Sequence, residues 1–395
     1  MTPQFLLAWQ AAVGVGRGRW FRGRTGEMTN REGVGESRLI RLVRKWRLPL
    51  LLLLTGVVAL DVRGAMGIAS NLAYTACIGN AADPARRIEA CTQIIDNQAD
   101  GPDKRATAYF KRAYAWSMEG DLDRAIADSD QAISLNPEYA SAYYNRGYDW
   151  ATKGDYDRAI ADYGQAIAFD PKSSAAYNNR GLAWAYKGDN DRAIADYNLA
   201  IIADPKNASA YLNRGGAWAA EGAFDHAIAD YNQAIAFDPT LIGVYENRGL
   251  SWGGKGDYDR AIADFNVAIG LDPKRGYAYY GRGLAWSNKG DDDRAIADYD
   301  QAVDLDPKLA DAYYALGLAW AHKGDHDQAI IDYDQAIALN QKSADFYSAQ
   351  APPGRRRETA NAPRPTGRRQ LALAVSRLPD WKVALLRAFA CPPLG

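Results

Sequence analysis

The sequence predicts an all-α protein, a solenoid of tandem helix-turn-helix units, and three observations support this prediction. One pattern of 34 residues recurs seven times without insertion, in the frames 106–139, 140–173, 174–207, 208–241, 242–275, 276–309 and 310–343. A fixed period of this length is typical of stacked repeat architectures. Within each frame, apolar and small residues recur at helical spacing. Gly and Pro stand where helices are expected to end.

Each frame contains two predicted helices, and we number its positions from 1 to 34. In the first helix, positions 4, 8 and 11 share one face. Position 8 is Gly in every unit except the first, which has Ala113. Position 11 is always Trp, at Trp116, Trp150, Trp184, Trp218, Trp252, Trp286 and Trp320. We expect these side chains to form the core between the helices.

The second helix has its apolar face at positions 20, 24 and 27. Position 24 is Tyr or Phe in every unit except the first, which has Ser129. Gly at position 15 suits the end of the first helix, and the Asp that often follows suits the start of the second. Pro at position 32 ends the second helix. One such pair cannot bury its apolar face alone, so neighbouring units must stack.

This order of aromatic, Gly, Ala and Pro positions resembles the tetratricopeptide repeat (TPR) family over residues 106–343. The resemblance implies a right-handed α-solenoid that binds a protein or peptide partner, without a cofactor and without enzymatic activity. It also implies that the first helices line a concave groove. Together with the N-terminal pattern described below, it suggests an exported or membrane-anchored protein of bacterial type.

Position 6 carries an amide in the four central units, at Asn145, Asn179, Asn213 and Asn247. The row resembles the asparagine ladder in the repeat domain of O-linked N-acetylglucosamine transferase, which implies that it faces the groove and holds a peptide backbone. An amide both donates and accepts, so it can match a peptide group of any sequence. The alternative is a row of solvated Asn side chains without a ligand.

Position 5 is expected to flank the same groove, and it differs between units while the packing positions do not. Its candidate ligand-binding residues are Tyr144, Asn178, Tyr280 and Tyr314. Variation between copies is what a ligand-facing row would show, although a tolerant surface would show it too.

Arg at position 7 and Asp at position 23 form two further rows; the seventh unit has Leu316 in place of Arg. We expect these rows to pair, within or between units, because a partly buried guanidinium needs a carboxylate acceptor. A ligand-binding row of Arg is the alternative.

Catalytic and metal sites find little support in the sequence. The pair His322 and His326 spans an inter-helix turn and lacks the spacing and the Glu of a zinc protease motif. Residues 1–49 have 10 Lys and Arg against 3 Asp and Glu, and residues 344–395 have 9 against 3, so the array between them is acidic. An acidic array is expected to repel nucleic acid.

Residues 1–69 form a basic extension followed by an apolar stretch, 48–60, and small residues. This order is typical of a secretory signal. Either it is cleaved and the protein is periplasmic, or it remains as a single-pass anchor in the inner membrane. Residues 1–27 precede a second Met, Met28, which is an alternative start.

Residues 70–105 are predicted to form a degenerate leading repeat, with Cys77 on its first helix and Cys91 on its second. In an oxidising compartment they would form a disulfide across that hairpin. Two buried thiols are the alternative.

Residues 344–395 are a basic, Pro- and Arg-rich tail, expected to be largely disordered with a capping helix near its end. Its abrupt loss of the repeat pattern suggests a frameshift or truncation. Two other roles therefore stay open: an oligomerising scaffold that uses the convex face or the C-terminal end, and the accessory repeat region of a larger protein.

Overall fold

The computed structural model describes residues 72–79, 83–97 and 99–339, and within them the chain forms sixteen helices and no strand. The first pair is α1 (72–78) and α2 (Pro84–Asp96), in the predicted leading repeat. Three predicted segments lie outside the described residues: the extension 1–69, the apolar stretch 48–60 within it, and the tail 344–395. No helix in the described part of the chain is long and apolar enough to cross a membrane.

Each 34-residue frame holds one pair of antiparallel helices, A and B. The A helices are α3 (Pro102–Met118), α5 (Ala140–Thr152), α7 (Ser174–Tyr186), α9 (Ala208–Ala220), α11 (Ile242–Gly254), α13 (Gly276–Asn288) and α15 (Ala310–His322). The B helices are α4 (Leu122–Leu135), α6 (Tyr156–Phe169), α8 (Asn190–Ala203), α10 (Phe224–Phe237), α12 (Tyr258–Leu271), α14 (Asp292–Leu305) and α16 (His326–Leu339). The largest interhelical contacts join helices that are adjacent in sequence, as in a solenoid.

The turn between helices A and B is set by two residues. Gly154 ends the first helix with φ of 81°, a backbone conformation that L side chains rarely adopt. Asp155 then caps α6, and its side chain accepts a hydrogen bond from the backbone nitrogen of Arg158 at 3.1 Å. The fourth repeat has Ala223 at the capping position, and α10 begins without a side-chain cap.

The core of each repeat is a close contact between the position-8 glycine and the aromatic ring at position 24. A Cβ atom placed on Gly215 would lie 2.6 Å from the ring of Tyr231, and one on Gly147 would lie 3.1 Å from that of Tyr163. Because glycine has no Cβ, the ring on helix B can lie directly against the backbone of helix A. Tyr163, Tyr197, Tyr231, Phe265 and Tyr299 are among the most completely buried large side chains.

The tryptophans at position 11 are half-buried, whereas the sequence led us to expect them in the core. They lie near the A–B turn, where in five of the seven repeats an arginine at position 19 covers the ring. The guanidinium carbon of Arg124 lies 3.7 Å from the ring centroid of Trp116, and that of Arg158 lies 4.0 Å from Trp150. A cation stacked on an indole ring tolerates water on its outer side, so this position needs no full burial.

Candidate functional site

The predicted amide row lies on the A helices, with Asn145 on α5, Asn179 on α7, Asn213 on α9 and Asn247 on α11. All four side chains are half-buried. They recur at the repeat spacing because neighbouring A helices stack side by side. The chain thus has the row of amides that the sequence predicted, and the peptide-binding role of that row stays a prediction.

Two amides of the row are engaged by neighbouring repeats. Asn179 donates from Nδ2 to the hydroxyl of Tyr144 at 2.9 Å, and Asn213 donates from Nδ2 to Oδ1 of Asn178 at 3.0 Å. Asn178 in turn donates to Oδ1 of Asn179 at 3.2 Å. Position 5 of one repeat therefore bonds position 6 of the next, and one chain of side chains links the second, third and fourth repeats.

The other two amides are not held in this way. Within the described part of the chain, the side chains of Asn145 and Asn247 make no hydrogen bond to protein groups. Both keep their donors and their acceptor for water or for a ligand. They flank the bonded pair on either side along the row.

The expectation that position 5 flanks an open groove is not met for three of its candidates. Asn178, Tyr280 and Tyr314 are only 8 %, 5 % and 8 % exposed, which leaves little surface for a ligand. Tyr280 and Tyr314 each pack on the ring at position 24 of the same repeat. Tyr280 packs on Tyr299 with ring centroids 6.1 Å apart. The ring centroids of Tyr314 and Tyr333 are 5.7 Å apart, as are those of Tyr144 and Tyr163. Of the four position-5 candidates, only Tyr144 remains half-buried.

A buried ion pair occupies position 5 of the fifth repeat, which the sequence reasoning missed. Glu246 is 3 % exposed and accepts from Nε and Nη2 of Arg275 at 2.6 and 2.8 Å. Burial raises the pKa of Glu246, and the bond from Arg275 opposes that rise. The sequence did contain a sign of this pair: Arg275 is charged at position 34, where the other repeats have Tyr, Ser, Asn or Leu.

The A helices also expose apolar side chains at the N-terminal end of the array. Tyr114 and Met118 on α3 are 46 % and 56 % exposed. Large side chains that remain this exposed on a helix face are available to a partner. Sequence reasoning did not select them because they stand at positions 9 and 13, which no motif marked.

The predicted pairing of the Arg and Asp rows is confirmed, and each pair lies within one repeat. In the third repeat, Arg180 donates from Nε and Nη2 to the two carboxylate oxygens of Asp196 at 2.8 and 2.6 Å. The same forked contact joins Arg112–Asp128, Arg146–Asp162, Arg214–Asp230, Arg248–Asp264 and Arg282–Asp298. In most of these repeats Nη1 also reaches position 25 of the preceding repeat, as from Arg214 to Asn198 at 2.6 Å.

A second set of ion pairs joins successive repeats near the A–B turns. Lys at position 14 contacts Asp at position 18 of the preceding repeat in Lys153–Asp123, Lys187–Asp157, Lys255–Asp225, Lys289–Asp259 and Lys323–Asp293. The fourth repeat has Glu221 at this position, which instead accepts from Nδ2 of Asn190 at 2.7 Å. These exposed pairs contribute little to stability.

Cys77 and Cys91 form a disulfide that joins α1 to α2, with their Cα atoms 4.8 Å apart. Around it, Ala73, Ile94 and Ala108 make a small buried cluster that ties this hairpin to α3. Within the described ranges, no group of three or more His, Cys, Asp or Glu side chains could hold a metal ion.

Family models for the tetratricopeptide repeat match residues 117–176, 151–208 and 180–242, then 242–275 and 310–343. A further TPR repeat model matches residues 288–323. These matches fall in the array of helix pairs described above. A search of curated proteins found no match.

Solved structures with the same helix-pair arrangement include a tetratricopeptide repeat protein from Parabacteroides merdae. It is 20 % identical, with a TM-score of 0.53 over 61 % of this chain and 96 % of that one. The APC/C hetero-tetramer Cut9–Hcn1 is 19 % identical, with a TM-score of 0.52 over 67 % of this chain and 52 % of that one. At these identities the likeness concerns the fold. Together, the 34-residue period, the stacked helix pairs and the family matches show that the chain belongs to the tetratricopeptide repeat family.

Proposed function

We propose that the protein is a protein–protein interaction scaffold that binds an extended segment of a partner along its A helices. The observation that carries this proposal is the amide row, in which Asn145 and Asn247 have unused hydrogen-bonding groups. Amides at repeat spacing suit a peptide backbone, whose N–H and C=O groups also recur at regular intervals.

The internal bonds divide the row into two kinds of residue. Asn179 and Asn213 donate their Nδ2 groups to side chains of neighbouring repeats. They therefore hold the A helices together and have fewer groups left for a ligand. Asn145 and Asn247 are the amides that can bind a backbone without breaking a bond. The exposed Tyr114 and Met118 would add an apolar contact at the N-terminal end of the same set of helices. The partner would then be an extended segment with at least one apolar side chain.

We further propose that the protein works in the cell envelope. The disulfide between Cys77 and Cys91 supports this, because disulfides persist in oxidising compartments such as the periplasm. The basic and apolar order of residues 37–60 agrees with export, either as a cleaved signal or as an inner-membrane anchor.

The experiment is affinity capture from an envelope extract with the full chain, compared with the double variant Asn145→Ala/Asn247→Ala. Since neither side chain has an internal hydrogen bond, we expect unchanged helicity by circular dichroism and at least about tenfold less captured partner, the effect of losing roughly two backbone hydrogen bonds. Gln165→Ala/Gln233→Ala is the matched control, because both glutamines are exposed on B helices.

Equal capture by the wild type and by the asparagine variant would rule out this row as the binding site. Loss of capture in the glutamine variant would instead place recognition on the B helices. Retention in the glutamine variant and loss in the asparagine variant is the result that we expect.

A further inference from the structure

The seventh repeat keeps both acceptors of an arginine site but lacks the arginine. The second repeat shows the complete site. Arg146 donates from Nε and Nη2 to Asp162 at 2.8 and 2.6 Å, and from Nη1 to Asp130 of the preceding repeat at 2.5 Å. In the seventh repeat, Asp332 stands at the position of Asp162 and Asp300 at that of Asp130, while Leu316 replaces the arginine.

Neither of these carboxylates, Asp332 of the seventh repeat and Asp300 of the sixth, has a cation among the described residues. Asp332 is only 4 % exposed, and its partner is the side-chain amide of Gln328 at 3.4 and 3.5 Å, longer than an ordinary hydrogen bond. Asp300 is exposed and makes no hydrogen bond or ion pair within the described ranges. A buried carboxylate without a counter-charge is costly, so Asp332 is destabilising until a cation reaches it, and Asp300 beside it adds a second acceptor.

The titration of both groups agrees with that need. Burial raises the pKa of Asp332 to about 6, against the bond from Gln328 and with a further contribution from the charge of Asp300. Partial desolvation also raises the pKa of Asp300, and the charge of the nearby Asp304 adds to that rise. In the six repeats that have the arginine, its guanidinium supplies the compensating charge.

The equivalent sites in this same chain identify the ligand that these acceptors fit. Six guanidinium groups are bound by the position-23 carboxylate in one forked geometry, with the same two atoms, Nε and Nη2, donating each time. A leucine side chain ends at Cδ, before the first guanidinium atom. What the seventh repeat lacks is thus the planar cation itself, and an ammonium group would not reproduce the fork.

The chain carries a source of such groups close by in sequence. The segment 355–369 contains six arginines, namely Arg355, Arg356, Arg357, Arg364, Arg368 and Arg369. It follows α16, which ends at Leu339. The intervening 15 residues, 340–354, can span up to about 50 Å, whereas Asp332 lies only about 10 Å from the end of its helix.

We propose that an arginine of segment 355–369 docks its guanidinium onto Asp332 and Asp300. The docking arginine displaces the amide of Gln328 and takes the place that Arg146 has in the second repeat. The acidic array and the basic tail have the complementary charge that this contact requires.

The test uses the full chain and follows backbone hydrogen exchange in α15 and α16. Substituting all six arginines of the segment by Gln should speed exchange of the α16 amides by about tenfold, because a charge-assisted contact is lost. The variant Leu316→Arg fills the site from within the chain. In that background, the same six substitutions should leave exchange in α16 unchanged.

Two further variants keep the test decisive. Substituting the six arginines by Lys preserves the charge and removes the fork, so exchange should approach that of the Gln variant. If Leu316→Arg does not fold, Asp332→Asn replaces it, since the tail substitutions should have no effect once the acceptor is gone. The proposal is overturned if tail substitution leaves exchange in α16 unchanged in the wild type. Equal acceleration in the wild-type and Leu316→Arg backgrounds, or full protection by Lys, would also overturn it.

Discussion

Asp149 shows how a single residue departs from the repeat pattern. It stands at position 10, which is Ala or Ser in every other repeat, and it is 1 % exposed. Ser117 of the preceding repeat donates to its Oδ1 at 2.6 Å, while its Oδ2 is buried without a partner. Burial raises the pKa of Asp149 to about 6, and the bond from Ser117 only partly opposes this.

The raised pKa fixes the direction of a pH effect on stability. Because the folded state holds the proton more tightly than the unfolded state, the favourable contribution is complete below about pH 4 and is lost as the pH rises to about 6. The Asp149→Ala variant should therefore be more stable than the wild type at pH 7, by on the order of 2 kcal/mol. At pH 4 most of this difference should disappear.

Urea unfolding of both proteins at pH 4 and at pH 7 measures this. Ser117→Ala, which removes the remaining hydrogen bond, is the matched control and should destabilise the protein. A gain from Asp149→Ala that is equal at both pH values would show that proton binding at this carboxyl is not the cause.

At the scale of helix pairs, the fork between helix A and helix B is a charge-assisted contact that recurs in six repeats. Replacing Arg180 by Leu copies the seventh repeat and leaves Asp196 buried without a cation. Loss of one partner of a buried ion pair typically costs about 3–5 kcal/mol, and we expect the lower part of that range because Arg180 is partly exposed.

The double variant Arg180→Leu/Asp196→Leu separates the charge from the packing. It should recover much of the stability lost in Arg180→Leu, because no uncompensated charge remains. Thermal unfolding of the two variants and of the wild type makes the comparison. If the double variant is less stable than the single one, the uncompensated charge of Asp196 is not what destabilises Arg180→Leu.

The helices and their pairing could be predicted from the sequence because they depend on local patterns that recur at 34 residues. The glycine at position 8, the ring at position 24 and the Arg–Asp rows each appear several times, so chance is a poor explanation. Single departures such as Glu246 and Asp149 could not be interpreted in this way. Whether their side chains are buried depends on contacts with neighbouring helices, which the repeat pattern does not report.

The candidate site was predictable only in part for the same reason. The amide row was recognisable, but its internal bonds join position 5 of one repeat to position 6 of the next, as in Asn178 and Asn213. That offset depends on how far neighbouring A helices are shifted relative to each other. The burial of Tyr280 and Tyr314 follows from the position-24 rings, and the sequence alone did not indicate which neighbour those rings would contact.

For the whole molecule, stability should vary along the array, since each repeat contacts mainly its neighbours. The disulfide between Cys77 and Cys91 closes a short loop, separated by 14 residues, at the N-terminal end. Replacing both cysteines by Ser should destabilise this end by about 3 kcal/mol. Hydrogen exchange should become faster in α1 and α2 and stay unchanged in α9 to α16.

Hydrogen exchange followed by mass spectrometry reports both regions in one experiment. Reducing the disulfide in the wild type is the matched control, and it should reproduce the pattern of the Ser variant. Faster exchange along the entire array would instead mean that all repeats unfold as one cooperative unit.

The first repeat differs from the others at positions 8 and 24, where Ala113 replaces glycine and Ser129 replaces the aromatic ring. This difference affects how the chain finds its fold. Nearly identical repeats could pair helix A of one unit with helix B of another and produce a shifted array. The methyl group of Ala113 would meet the ring in any B helix except the first, whose Ser129 leaves space for it. The first helix A therefore fits only its own helix B, and this restriction favours one starting point for the stacking of the other units.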